Sequence, residues 1–301
     1  MQNQSPPIKA YIALGLGLTV ISFSAIFVRL AEAPGIVSAL YRMLIGAILL
    51  TIPFVRNIRN KKPIARRGIL LAILAGIFFG IDLAAWASGV VLSGATLPTL
   101  FANTNPIWVG IGAWLIFKEK LSAGFWIGLA FALSGAVLIL GADLAVQGPI
   151  SQGSLLGLVA GIFYGAYFLV AQRGRAWLDA ISFFWIGTIT SAFVLLIASL
   201  IWQQPLFGYS PNTWLMFLLQ GLLIQGAGWL LLSYAQGYLK ASLVSPTLLG
   251  QPVLTAFLAG PLLGESLRSS DILGGVTVLI GIFLIHSSRG SKKFRGKKLR
   301  I

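Results

Sequence analysis

Cysteine is absent from the 301 residues, and histidine occurs once, at His286. That excludes a disulfide framework and a thiolate metal site, and it leaves little to hold zinc or iron. Charge is scarce as well. Asp, Glu, Lys and Arg together make up 10% of the chain, where about 25% is usual for soluble domains. Sequence signatures of catalysis are missing: there is no Gly-x-Ser-x-Gly and no His-Glu-x-x-His. The spacing from Gly290 to Gly296, with Lys298 after Lys297, does not make a Walker A loop. The chain is therefore expected not to be an enzyme and to need no cofactor or metal. With no ATP site, any transport would draw on a gradient.

What is present is apolar. The hydrophobic fraction is 57% and the mean hydropathy +0.90. A soluble monomer cannot bury that much apolar surface, so lipid must be the solvent for most of the chain. Ten apolar runs are read, at about 9–29, 35–55, 68–89, 94–116, 122–141, 152–171, 180–202, 213–235, 241–263 and 270–287. Most match a hydrocarbon core of ~30 Å at 1.5 Å per residue. They are apolar on all faces, which fits helices and not the alternating strands of a barrel. The first run is too long for a cleaved leader and is followed by nine others. Turn residues fall between runs, as in Ala33-Pro34-Gly35, Gln147-Gly148-Pro149 and the stretch with Gln204-Pro205, Gly208 and Pro211.

The net charge of +15 follows topology. Of 22 Lys and Arg, 19 fall on the face that carries the N-terminus, two (Arg29 and Arg268) on the other, and Arg42 inside the second run. By the positive-inside rule the first face is cytoplasmic, with both termini there. The tail from Arg289 to Arg300 fixes orientation and has the composition to meet anionic lipid head groups. No aromatic interleaving supports nucleic-acid binding.

The two halves repeat. Asn105-Pro106 is followed by Glu119, and Gln251-Pro252 by Glu265, both at an offset of 146. At that offset Ala95-Thr96 meets Ala241-Ser242 and Gly80 meets Gly226. Phe23-Ser24-Ala25 matches Tyr164-Gly165-Ala166 at an offset of 141. Five spans per unit is odd, so the second unit enters the membrane from the opposite side. Inverted repeats of this kind occur in secondary transporters. The expected units are 1–146, 147–288 and a basic tail, 289–301.

The Asn-Pro…Glu and Gln-Pro…Glu blocks, the Tyr41-Arg42 pair, ten spans and this length resemble the EamA-like family of the drug/metabolite transporter superfamily, over about residues 10–287. The resemblance implies an all-α bundle of ten transmembrane helices, two inverted five-helix repeats around a central cavity. It implies alternating-access movement of small metabolites, most often export of amino acids or related amphipathic solutes. A drug or nucleotide-sugar carrier of the same superfamily, a non-transporting scaffold and an intramembrane enzyme are the rival readings. The partners expected are a small-molecule substrate and the bilayer, with the chain a monomer or homodimer.

Intramembrane ionisable groups are costly and so are functional candidates. Arg42 and Asp82 each lie about seven residues, or ~10 Å, below the outer face on sequential antiparallel helices. They read either as a structural ion pair or a snorkelling arginine, or as a cavity-facing site in which Asp82 binds a cationic group or a coupling proton. Pro106 and Pro252 are read as helix kinks that free carbonyls, with Asn103, Asn105 and Gln251 beside them lining the cavity or bonding between helices. Trp86, Tyr164, Gln225 and Trp229 are candidates for aromatic and amide contacts, with packing as the alternative. Gly76/Gly80 and Gly157/Gly161/Gly165 are read as sites of close helix approach. Glu119 and Glu265 are read as caps or loop fasteners.

Overall fold

A computed structural model describes residues 6–59, 65–93, 96–140, 152–263 and 268–295. The Gln147-Gly148-Pro149 turn, Glu265, and the tail beyond residue 295 lie outside the described residues. Among the described residues, ten helices are long and apolar enough to cross a membrane. Span 1 is Ile8–Leu30, span 2 Gly35–Arg59, span 3 Arg66–Val90, span 4 Pro98–Phe117 and span 5 Ala123–Leu140. Span 6 is Gln152–Gly174, span 7 Ala180–Ile201, span 8 Pro211–Gln236, span 9 Ala241–Leu258 and span 10 Ser269–Ser288.

The outside of the bundle is apolar, as lipid demands: Ile48, Phe193 and Leu273 are each more than 60% exposed. Backbone polar groups are satisfied within the helices, and polar side chains close the remaining gaps. Asp179 caps span 7 by accepting from the Ser182 N–H at 3.1 Å, and Ser210 caps span 8 by accepting from Thr213 N–H. Gly208, at φ +93, turns the chain between these two spans.

Four spans are not regular α-helix throughout. Span 1 breaks at Ser22-Phe23, span 4 at Asn103-Thr104 and span 9 at Leu248-Leu249. Span 8 is π-helical over Gln220–Trp229. The kinks expected at the prolines are helix breaks placed just before them. Pro106 is the second residue of the new half-helix, where a missing N–H costs nothing. Carbonyls beside the breaks accept from side chains. Asn103 Nδ2 donates to Thr99 O at 2.9 Å, and Asn105 Nδ2 to Ala102 O at 3.3 Å. In span 9, Gln251 Nε2 donates to Ile21 O at 3.4 Å and Thr255 Oγ1 to Ser22 O at 2.8 Å, covering the break in span 1.

The halves are related by an axis in the membrane plane. Span 3 packs on spans 6 and 7, and span 8 packs on spans 1 and 2. Spans 2 and 7, 4 and 9, and 5 and 10 pack on one another. Exchanging each span for the one five places on reproduces this pattern. Spans 5 and 10 show it at residue level. A Cβ on Gly128 would meet Gly281 O at 2.7 Å, and one on Gly135 would meet Gly274 O at 2.5 Å. Residues 128 and 274, and 135 and 281, stand 146 apart, so one contact is the image of the other. The two helices run antiparallel through these contacts. Counterparts related by an axis along the membrane normal would run parallel, so the repeat is inverted.

The glycines at 157, 161 and 165 let span 6 approach span 4. Added Cβ atoms there would strike Pro98, Phe101 O and Trp108 respectively. Gly76 does the same for spans 3 and 7, where a Cβ would stand 2.5 Å from Gly187 O.

Candidate functional site

The broken spans surround a cavity of about 530 Å³. Gly35, Leu140, Arg268 and Asp271 frame its mouth. All four lie at span ends on the face opposite the N-terminus, so among the described residues the chamber reaches that face. Its floor is built by Arg42 from span 2, Phe79 and Asp82 from span 3, Tyr164 from span 6 and Trp229 from span 8.

Arg42 and Asp82 are both buried, at 7% and 5% exposure, and both line this wall. They are close enough for their charges to interact. Yet among the described residues they form no N···O contact within 4.0 Å, so the direct ion pair weighed above is not made. Arg42 Nη1 donates to Ser24 Oγ at 3.3 Å, and its Nε has no partner. The Asp82 carboxylate accepts no hydrogen bond from any described residue. A buried charge without protein partners is expensive. Facing a chamber, it is offset by water or by a solute.

The floor beside the charges is aromatic. Phe79 lies 4.6 Å from Trp229 between ring centroids, and 6.2 Å from Tyr164. Tyr167 and Phe168 pack behind them. The π-helical stretch bears on this geometry, since both its first residue, Gln220, and its last, Trp229, reach the cavity wall. Such segments are frequent at functional sites.

Of the residues expected from sequence, Arg42, Asp82, Trp86, Asn103, Tyr164, Trp229, Gln251 and Pro252 line the cavity. Asn105 and Gln225 do not; they take the alternative given with each, bonding between helices for Asn105 and packing for Gln225. Asn105 is 2% exposed and accepts from Ser245 Oγ, toward the N-terminal face. Gln225 is fully buried, donating Nε2–H to Thr188 Oγ1 at 3.1 Å and packed over Gly46. Each is held by a neighbouring helix. Pro106 lies below the wall with Asn105. Glu119 is 8% exposed; it accepts from Ser242 Oγ at 2.8 Å and lies 3.3 Å from Lys240 Nζ, so it fastens one half to the other.

Sequence reasoning passed over Ser24, Phe79, Thr99, Gln220, Thr255, Arg268 and Asp271, all of them on the wall. A polar residue within an apolar run is the signal that would have found Gln220 and Thr255. Nothing marks Phe79 out from the other phenylalanines. No group of three or more His, Cys, Asp or Glu capable of holding a metal occurs among the described residues.

The family model described as the EamA-like transporter family matches residues 8–141 and 151–287. An uncharacterized transporter of Clostridium kluyveri is 28% identical over 257 residues, covering 81% of each chain. The uncharacterized transporter YoaV of Bacillus subtilis is 25% identical, covering 86% of this chain and 90% of its own. One solved crystal structure superposes with a TM-score of 0.78 at 14% identity, covering 92% of this chain and 96% of that one, which is a likeness of fold.

Proposed function

Since the chain belongs to the EamA-like transporter family, we propose that it exports small net-neutral metabolites, amino acids or related amphipathic solutes foremost, by alternating access. Both termini lie in the cytoplasm of a bacterial inner membrane in this reading, which the 19 to 2 bias of Lys and Arg supports. The repeat units are taken as 1–146 and 147–288, followed by the basic tail, 289–301.

The observation that carries the reading is the separated pair on the cavity floor. Asp82 offers an acceptor for an ammonium group, and Arg42 offers donors for a carboxylate, with the aromatic floor beside them for an apolar side chain. Among the described lining residues the formal charges balance, Arg42 and Arg268 against Asp82 and Asp271. That balance favours a zwitterion over a nucleotide sugar, whose diphosphate would call for a surplus of cations.

The test is uptake and efflux in proteoliposomes holding the purified protein, with amino acids, their amides and their decarboxylated amines, with and without a pH gradient. Saturable flux of the zwitterions that falls when either charge is removed is expected. Equal flux of zwitterion, amide and amine, or none above empty vesicles, would contradict it.

A further inference from the structure

Toward the face that carries the N-terminus, the symmetry-related spans 4 and 9 are joined by a side-chain bond. Ser245 Oγ, in the first half-helix of span 9, donates to Asn105 Oδ1, at the start of the second half-helix of span 4. Both residues are buried. Ser242 on Glu119 and Lys240 beside Glu119 extend the same junction.

The repeat gives each member of this bond a counterpart. Residues 95–99 read Ala-Thr-Leu-Pro-Thr and residues 241–245 read Ala-Ser-Leu-Val-Ser. Thr99 therefore stands where Ser245 stands, a hydroxyl for a hydroxyl. Gln251 stands where Asn105 stands, an amide for an amide, each followed by proline. The helix breaks correspond to within one residue as well, at Asn103-Thr104 and Leu248-Leu249. In the structure the second pair is not joined. Thr99 Oγ1 accepts from Trp86 Nε1 at 2.9 Å, Gln251 Nε2 reaches Ile21 O, and both face the open chamber. One member of the related set is latched and the other is open.

A second asymmetry points the same way. Spans 1 and 8 pack together, and so do their counterparts, spans 6 and 3. The first pair is broken and π-helical, while the second is continuous α-helix. Related sequences hold two shapes at once, which is how an inverted repeat occupies one of two mirror-related states.

We propose that Thr99 and Gln251 form the outer latch of this protein, bonding to each other across the chamber mouth when the Asn105–Ser245 bond opens on the opposite face. The two bonds are alternatives, so weakening one favours the other. The proposal rests on the alternating-access reading, but its test reads cross-linking and needs no solute.

Because the natural chain has no cysteine, Thr99→Cys with Gln251→Cys makes a single reactive pair. Its bridging by a short bifunctional thiosulfonate is followed by gel mobility in native membranes. Adding Ser242→Ala and Ser245→Ala removes inner-latch hydroxyls, and the bridging rate is expected to rise about fivefold or more, the effect of one lost hydrogen bond on a two-state balance. A second variant, Asn105→Ala in the same cysteine background, is expected to act alike. Monodisperse elution in detergent qualifies each variant as folded. Bridging that is unchanged by both inner-latch variants, or a pair that never bridges, would overturn the proposal. Loss of solute flux with this cross-linking behaviour intact would count against the transport reading alone.

Discussion

In the proposed reading, Asp82 is the residue on which solute recognition turns. Its carboxylate is buried, lines the chamber and takes no hydrogen bond from the described residues. A structural carboxylate would be satisfied by its surroundings, as Asp179 is by Ser182 and Asn57. Asp82→Asn keeps the shape and removes the charge, so flux is expected to fall about ten- to hundredfold, the range of a charge-assisted contact, while membrane insertion stays normal. Wild-type flux from a normally expressed mutant would remove Asp82 from the mechanism. Trp229→Ala opens the aromatic floor beside Phe79. It is expected to weaken apparent affinity for solutes with apolar side chains more than for glycine, measured as a ratio of KM values. At this scale the sequence was legible where a charge interrupts an apolar run. It was silent on direction. In a membrane helix the lipid face and the core face are both apolar, so periodicity does not tell which side looks inward. Gln225 and Gln220 illustrate the limit: two amides five residues apart on one span, one held by Thr188 and the other on the cavity wall.

Among elements, glycine sets how closely the helices approach. A Cβ at Gly76 would collide with Gly187 O and with Thr190, and backbone cannot step aside. Gly76→Ala is expected to cost about 1–3 kcal/mol, the usual penalty of overpacking, seen as a lower unfolding temperature in detergent. Gly15→Ala meets nothing within 4 Å and is expected to leave that temperature unchanged. Equal effects of the two would show that glycine crowding does not hold spans 3 and 7 together. Span number and ends were readable because length and hydropathy are set by the bilayer. The breaks were only partly readable. Proline marks them in spans 4 and 9, but the break precedes the proline, where the half-helix restarts. The π-helical stretch of span 8 has no proline at all, and its register is set by packing against spans 1 and 2, which the local sequence does not encode.

At the scale of the whole molecule, two units threaded in opposite senses enclose a chamber that among the described residues reaches one face, with spans 4 and 9 joined toward the other. The 146-residue offset made this readable from the sequence alone, since it joins residues that the fold later places on either side of one axis, as with the glycines of spans 5 and 10. Which face the chamber reaches was not readable, because the two states of an inverted repeat share one sequence. The most direct test of the chamber uses Ala25→Cys, a small exposed position on the cavity wall, in the otherwise cysteine-free chain. Ile189→Cys, 41% exposed on the apolar outer surface, serves as the control. A membrane-impermeant maleimide is added to right-side-out vesicles. The account predicts that residue 25 is labelled from outside, that residue 189 is not, and that a transported solute slows the labelling. A residue 25 that stays unlabelled in right-side-out vesicles but reacts in inside-out ones, or in neither, would contradict it.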